Sequence, residues 1–158
     1  MMKQKKRISL MVGVAVLILG LAGCAAPGPK FSGLQQVSAG KAELIVYRKS
    51  ALFASATAMP LLIDGKQVGE LYNASFLQQQ LLPGEHTVKV IPGGMAQATE
   101  TAITLSPGER TFLHYDFPTG PLANVFFIGA TIEKRDDVTA LEDLKELNSA
   151  KPSVSATR

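Results

Sequence analysis

Hydrophobic and polar positions alternate in short stretches along most of the chain, the two-residue period of strands with one buried face. Thr87–Ile91 puts Val88 and Val90 on one side. Thr101–Leu105 does so with Thr101, Ile103 and Leu105, and Thr111–Phe117 with Leu113, Tyr115 and Phe117. Phe76–Leu82 sets Leu77, Gln79 and Leu81 against Phe76, Gln78 and Gln80. Ala42–Arg48 (AELIVYR) is apolar on both faces, as a central strand is, and Val125–Ile132 is a near-continuous apolar run around Gly129. Pro60–Ile63 and Gln67–Leu71 flank Asp64-Gly65, a two-residue hairpin signal. Pro83-Gly84-Glu85-His86-Thr87 and Pro107-Gly108-Glu109-Arg110-Thr111 each place Pro-Gly in a turn that launches a strand. Seven or eight short strands at this spacing predict an antiparallel β-sandwich over residues 42–134, Ig- or transthyretin-like.

Outside that span the period changes. Thr139 and Glu142 form a capping box, and Leu141, Leu144 and Leu147 then line one side of a short amphipathic helix within 135–148. That stripe either packs on the sandwich or presents a docking surface to a partner. Residues 24–41, with Pro27, Gly28, Pro29, Gly33 and Gly40, read as a flexible tether. Residues 149–158, small and polar with Pro152, read as a disordered tail.

The N-terminal region has a different logic. Met1–Arg7 is positively charged, Ile8–Gly20 is apolar, and Leu21-Ala22-Gly23-Cys24 follows. This is the order of regions in a secretory signal peptide, here residues 1–23. The 19 uncharged residues from Ile8 to Ala26 are long enough for an uncleaved span, but Gly13, Gly20 and Gly23, with Pro27 just beyond, suit a cleaved signal better. Leu21-Ala22-Gly23-Cys24 resembles the bacterial lipobox at all four positions. The resemblance implies a diacylglyceryl group on the Cys24 thiol, cleavage between Gly23 and Cys24, and acylation of the new amine by a chain such as palmitate. One acyl chain anchors only marginally, whereas two or three hold durably. Ala25 follows the cysteine. By resemblance to the sorting rule of enteric bacteria, a residue other than Asp there implies the outer membrane, facing the periplasm.

Charge and cysteine content follow from this division. The whole chain carries 16 basic and 13 acidic side chains. Lys3, Lys5, Lys6 and Arg7 belong to the signal, so 12 basic side chains remain against 13 acidic ones and the mature charge is −1. With no basic stripe, nucleic acid is excluded as a partner. Cys24 is the only cysteine, so the domain folds without a disulfide.

From Lys41 to Ile132 the chain resembles bacterial lipoproteins that carry the domain of unknown function 2846. The resemblance rests on Val46-Tyr47-Arg48, Ile63-Asp64-Gly65, Val68-Gly69-Glu70-Leu71, Pro83-Gly84-Glu85-His86-Thr87-Val88 and Pro107-Gly108-Glu109, in that order. The Pro-Gly-x-His-x-Val strand also resembles envelope β-domains of the PEGA kind. Neither likeness implies an activity or catalytic residues.

A search for chemistry leaves few candidates. His114 and Asp116 share a strand face and are the one metal-ligand pair at i, i+2, but a site needs at least a third ligand. No nucleophile elbow, P-loop or dinucleotide fingerprint occurs, and Cys24 is taken by lipid. No catalytic residue and no cofactor beyond the covalent lipid is expected. Arg48 lies on a strand that reads as buried, so a structural ion pair with Asp64 or Glu70 is expected. The uncharged loop Ser50–Met59 carries Leu52, Phe53 and Met59 and is the candidate contact surface, together with Leu141, Leu144 and Leu147. The expectation is a non-enzymatic, lipid-anchored envelope module that binds another envelope component, a protein foremost. A glycan- or peptidoglycan-binding module is the alternative, and a metal-dependent enzyme the third.

Overall fold

A computed structural model describes residues 26–52, 54–93, 97–117 and 129–151. Among these described residues nine strands form, in the order β1 (Ala42–Arg48), β2 (Met59–Ile63), β3 (Lys66–Leu71), β4 (Ser75–Leu81), β5 (Gly84–Val90), β6 (Thr99–Leu105), β7 (Arg110–Asp116), β8 (Thr131–Arg135) and β9 (Asn148–Ser149). Helix α1 (Asp137–Leu144) lies between β8 and β9. The strands make two sheets, ordered β8-β7-β1-β4-β9 and β3-β2-β5-β6. The fold is mainly β, two sheets packed as a sandwich.

Period-two patterning places the core. Leu44 and Val46 of β1, Leu77 of β4, and Leu113 and Tyr115 of β7 pack against Met59, Leu61, Ile63, Leu71, Val88 and Val90 of the other sheet. Each fully buried side chain of this size contributes roughly 2 kcal/mol relative to exposure. The β2–β3 hairpin turns at Asp64 and Gly65, whose φ angles of 51° and 75° are both left-handed, as a twist-matched two-residue turn requires.

Most of the pairings are antiparallel, as an antiparallel sandwich requires, and two are parallel. β1 pairs antiparallel with β4 but parallel with β7, with Tyr47 opposite Phe76 on one side and His114 on the other. β4 and β9 are also parallel. β7 enters its sheet after two strands in the other sheet, so no hairpin dictates its direction.

A third layer covers the outer face of the five-stranded sheet. Ile45, Tyr47, Phe76 and Phe112 pack beneath Ala140, Leu144 and Leu147, with Phe31 and Leu34 at the margin. β1 is therefore buried along its whole length. The helix begins earlier than the Thr139–Glu142 capping box predicts. Asp136 is the cap, its Oδ1 accepting from the Thr139 amide at 3.0 Å. A carboxylate there satisfies an orphan donor and complements the helix dipole, so the helix starts at the first residue able to do both.

Two further expectations change. Residues 28–38 of the expected tether are bonded to the sheet rather than free: the Gly28 and Phe31 amides donate to the Ser149 and Leu147 carbonyls, and Arg110 donates to the Gln35 carbonyl. Ser149 belongs to β9 and Ala150 is buried, so the expected disordered tail does not begin at 149. Residues 152–158 lie outside the described residues. Among the described residues no helix is long and apolar enough to cross a membrane.

Candidate functional site

Arg48 ends β1 on its inner face and is buried, with 2% of its surface exposed. Its Nη2 donates to the Ala54 carbonyl at 2.8 Å and its Nη1 to the Thr57 carbonyl at 3.2 Å, so the guanidinium holds the loop that follows β1. It also stands 5.8 Å from the Phe117 ring centroid. Burial lowers its pKa, which Tyr115 and Asp116 partly oppose.

The expected partners of Arg48 are committed elsewhere. Asp64 accepts from His86 Nδ1 at 2.7 Å and from the Thr87 amide at 2.9 Å. Glu70 accepts from the Tyr72 hydroxyl at 3.0 Å. Two backbone carbonyls of the following loop thus accept from Arg48 where Asp64 or Glu70 was expected.

His86 has an acceptor at each ring nitrogen, Asp64 on one side and the Leu82 carbonyl at 2.8 Å on the other. Both bonds form together only when the ring is protonated, so its pKa rises, chiefly through Asp64, and that of Asp64 falls. The Asp64-Gly65 turn and the Pro-Gly-x-His strand, distant in sequence, are one structural unit.

The loop from Ser50 to Thr57 is bonded both within itself and to Asn73. The Ser55 amide donates to the Leu52 carbonyl, the Thr57 amide to the Ala54 carbonyl, and the Ala51 amide to Asn73 Oδ1. Leu52 projects from it with 97% of its surface exposed. Met59, expected to share that surface, is instead a fully buried core residue opening β2. Phe53 lies outside the described residues, as do Gly23 and Cys24.

The leucine stripe of the helix faces inward. Leu144 is fully buried, Leu147 is 2% exposed, and Leu141 packs against the same cluster, so the stripe is the underside of the outer layer and not a free docking surface. Asp143 ties the helix to the sheet, accepting from the Tyr47 hydroxyl at 3.0 Å and from Lys49 Nζ at 2.7 Å.

His114 lies beside that bond. Its ring stacks on Tyr47 with centroids 4.9 Å apart, and its Nδ1 is 3.5 Å from Arg135 Nη2. Burial pushes its pKa down, with Arg135 adding to the effect against Asp116. Nε2 is buried without a hydrogen-bond partner. Asp116 is exposed and accepts from the Phe117 amide at 2.8 Å. Among the described residues no three His, Cys, Asp or Glu side chains gather as metal ligands.

One cluster escapes sequence reasoning. Glu43, fully buried in β1, accepts from Gln78 Nε2 and from Arg110 Nε. Arg110 passes the contact on to the Gln35 carbonyl at 2.6 Å. The polar face of Phe76–Leu82 was the only signal, and it could not point to a residue 67 positions from Arg110.

A family model described as "Protein of unknown function (DUF2846)" matches residues 38–130. The chain belongs to this family. No curated protein matches it. The DUF2846 match takes in β1 to β7 and stops short of β8, helix α1 and β9. The segment at 26–37 and helix α1, which cover the outer face, therefore lie outside the matched region. Within it, the paired motifs at Asp64 and His86 meet in space, and both serve turn geometry.

Proposed function

We propose that this DUF2846 protein is lipid-anchored through Cys24, faces the periplasm from the outer membrane, and acts as a non-enzymatic binding module for another envelope protein. Its location rests on Leu21-Ala22-Gly23-Cys24 after a charged and an apolar region. The binding reading is carried by Leu52, an almost wholly exposed leucine on an uncharged loop that buried Arg48 holds in place. An apolar side chain presented on a fixed support offers a contact with little ordering cost.

The test is crosslinking in intact cells, then purification of the lipidated protein and identification of what is attached. One protein near stoichiometry, lost on Leu52→Asp while the melting temperature stays unchanged, supports the reading. Recovery of cell-wall fragments alone, or of the same partner with Leu52→Asp, overturns the assignment of the surface. Membrane retention unchanged by Cys24→Ser overturns the anchor.

A further inference from the structure

The segment that follows the expected lipid site is part of the fold. The Gly28 amide donates to the Ser149 carbonyl at 2.9 Å, the Ser149 amide to the Pro29 carbonyl at 2.8 Å, and the Phe31 amide to the Leu147 carbonyl at 2.9 Å. Lys30 bridges antiparallel to Asn148. These bonds extend the five-stranded sheet beyond β9, so residues 28–31 form its outermost edge. Phe31 seals the ladder, its ring meeting Phe76 edge-on at 5.5 Å.

Gly28 is required by this contact. A Cβ there would lie 2.0 Å from Ser149 Oγ and 2.4 Å from the Ser149 carbonyl oxygen, which leaves no room for a side chain. Ala26, two residues earlier, is already buried.

We propose that residues 28–31 act as a clamp that sets the β9 edge of the domain against the bilayer, in place of a flexible tether that lets it swing free. The proposal rests on lipidation at Cys24. Three residues lie between Cys24 and Gly28, and the four steps from one to the other span at most about 14 Å. The five-stranded sheet is about 19 Å wide from β9 to β8. The anchor is therefore shorter than the domain is broad, and the β8 and β6 side cannot exchange places with the β9 edge. Exposed Lys30 and Lys151 lie along that edge, Lys30 paired with Glu146 at 3.3 Å. The outcome is an oriented domain whose β6–β8 side points away from the membrane.

The test uses the lipidated full chain in vesicles of phosphatidylethanolamine and phosphatidylglycerol that contain a headgroup nitroxide lipid as a short-range quencher. Because Cys24 is acylated, Lys151→Cys or Ala102→Cys supplies a single labelling site, beside β9 or on β6, neither of them on the anchoring segment. Quenching severalfold stronger at 151 than at 102, made nearly equal by ten Gly/Ser residues inserted between Ala25 and Ala26 or by Gly28→Ala, supports the clamp. Equal quenching in the unmodified chain overturns it. Two controls separate the clamp from the anchor. Failure of the protein to float with vesicles overturns lipidation, and the membrane orientation with it. Rapid hydrogen exchange at the Gly28 and Phe31 amides of the unlipidated Cys24→Ser chain overturns the clamp even where the anchor stands.

Discussion

At the scale of single residues, a carboxylate with no exposed side-chain surface near the start of a buried strand is an expensive feature. Glu43 is tolerated because Arg110 and Gln78 both donate to it across the two neighbours of β1. Glu43→Ala leaves a guanidinium and an amide without their acceptor and is expected to cost about 3 kcal/mol in urea denaturation. Glu43→Gln keeps an acceptor oxygen and should cost distinctly less. Equal stability for wild type and Glu43→Ala would show that the cluster contributes nothing. Arg48 was legible from the sequence as a buried cation on β1, because the residues around it are apolar on both faces. Its partners were not, since backbone carbonyls leave no mark in a sequence. The same limit applies to His114, whose spacing from Asp116 suggested metal ligands. The structure surrounds the ring with Tyr47 and Arg135, contacts that only strand pairing creates.

At the scale of elements, the strand and hairpin positions were largely readable, because alternation and left-handed turn residues are local. β1 matches its expected span, and Asp64-Gly65 turns where predicted. Helix α1 shows the opposite case. Its leucines gave the period, but whether they faced a core or a partner depended on the outer sheet face being apolar at Ile45, Tyr47, Phe76 and Phe112. β9 was missed because two residues carry no period at all. Its contribution is nonetheless measurable. Ending the chain at Leu147 removes the strand beside β4, the buried Ala150, and the seat of Gly28 and Pro29. Such a truncation is expected to lower the melting temperature by several degrees and to speed proteolysis after Lys30. Unchanged values for both would show that the β9 edge is dispensable.

At the scale of the whole molecule, the two histidines pull stability in opposite directions with pH. The folded pKa of His86 is raised, so its contribution is complete below its unfolded value of about 6.5 and is lost as pH rises through the folded pKa. The folded pKa of His114 is depressed, so stability is complete above about 6.5 and declines as pH falls toward the folded pKa. Carboxylates extend the acid limb. The Ser106 amide, followed by Lys134, holds Glu109 at about 2, so its contribution is lost only as pH falls from the ordinary Glu range toward that value. The melting temperature is expected to peak near neutrality. His86→Ala should flatten the alkaline side, and His114→Phe, which retains a ring against Tyr47, should flatten the decline just below 6.5. An acid limb unchanged by His114→Phe would remove the imidazole from the explanation. The sequence by itself determined strands β1 to β7, their buried faces, the hairpin turn and the order of signal regions before Cys24, because each is written within a few neighbouring residues. Tertiary structure alone decided the parallel pairing of β1 with β7, the Glu43–Arg110 contact, and the folding of residues 28–31 onto β9. Each of these joins segments dozens of residues apart, whose meeting depends on packing two sheets and a helix and not on any local pattern.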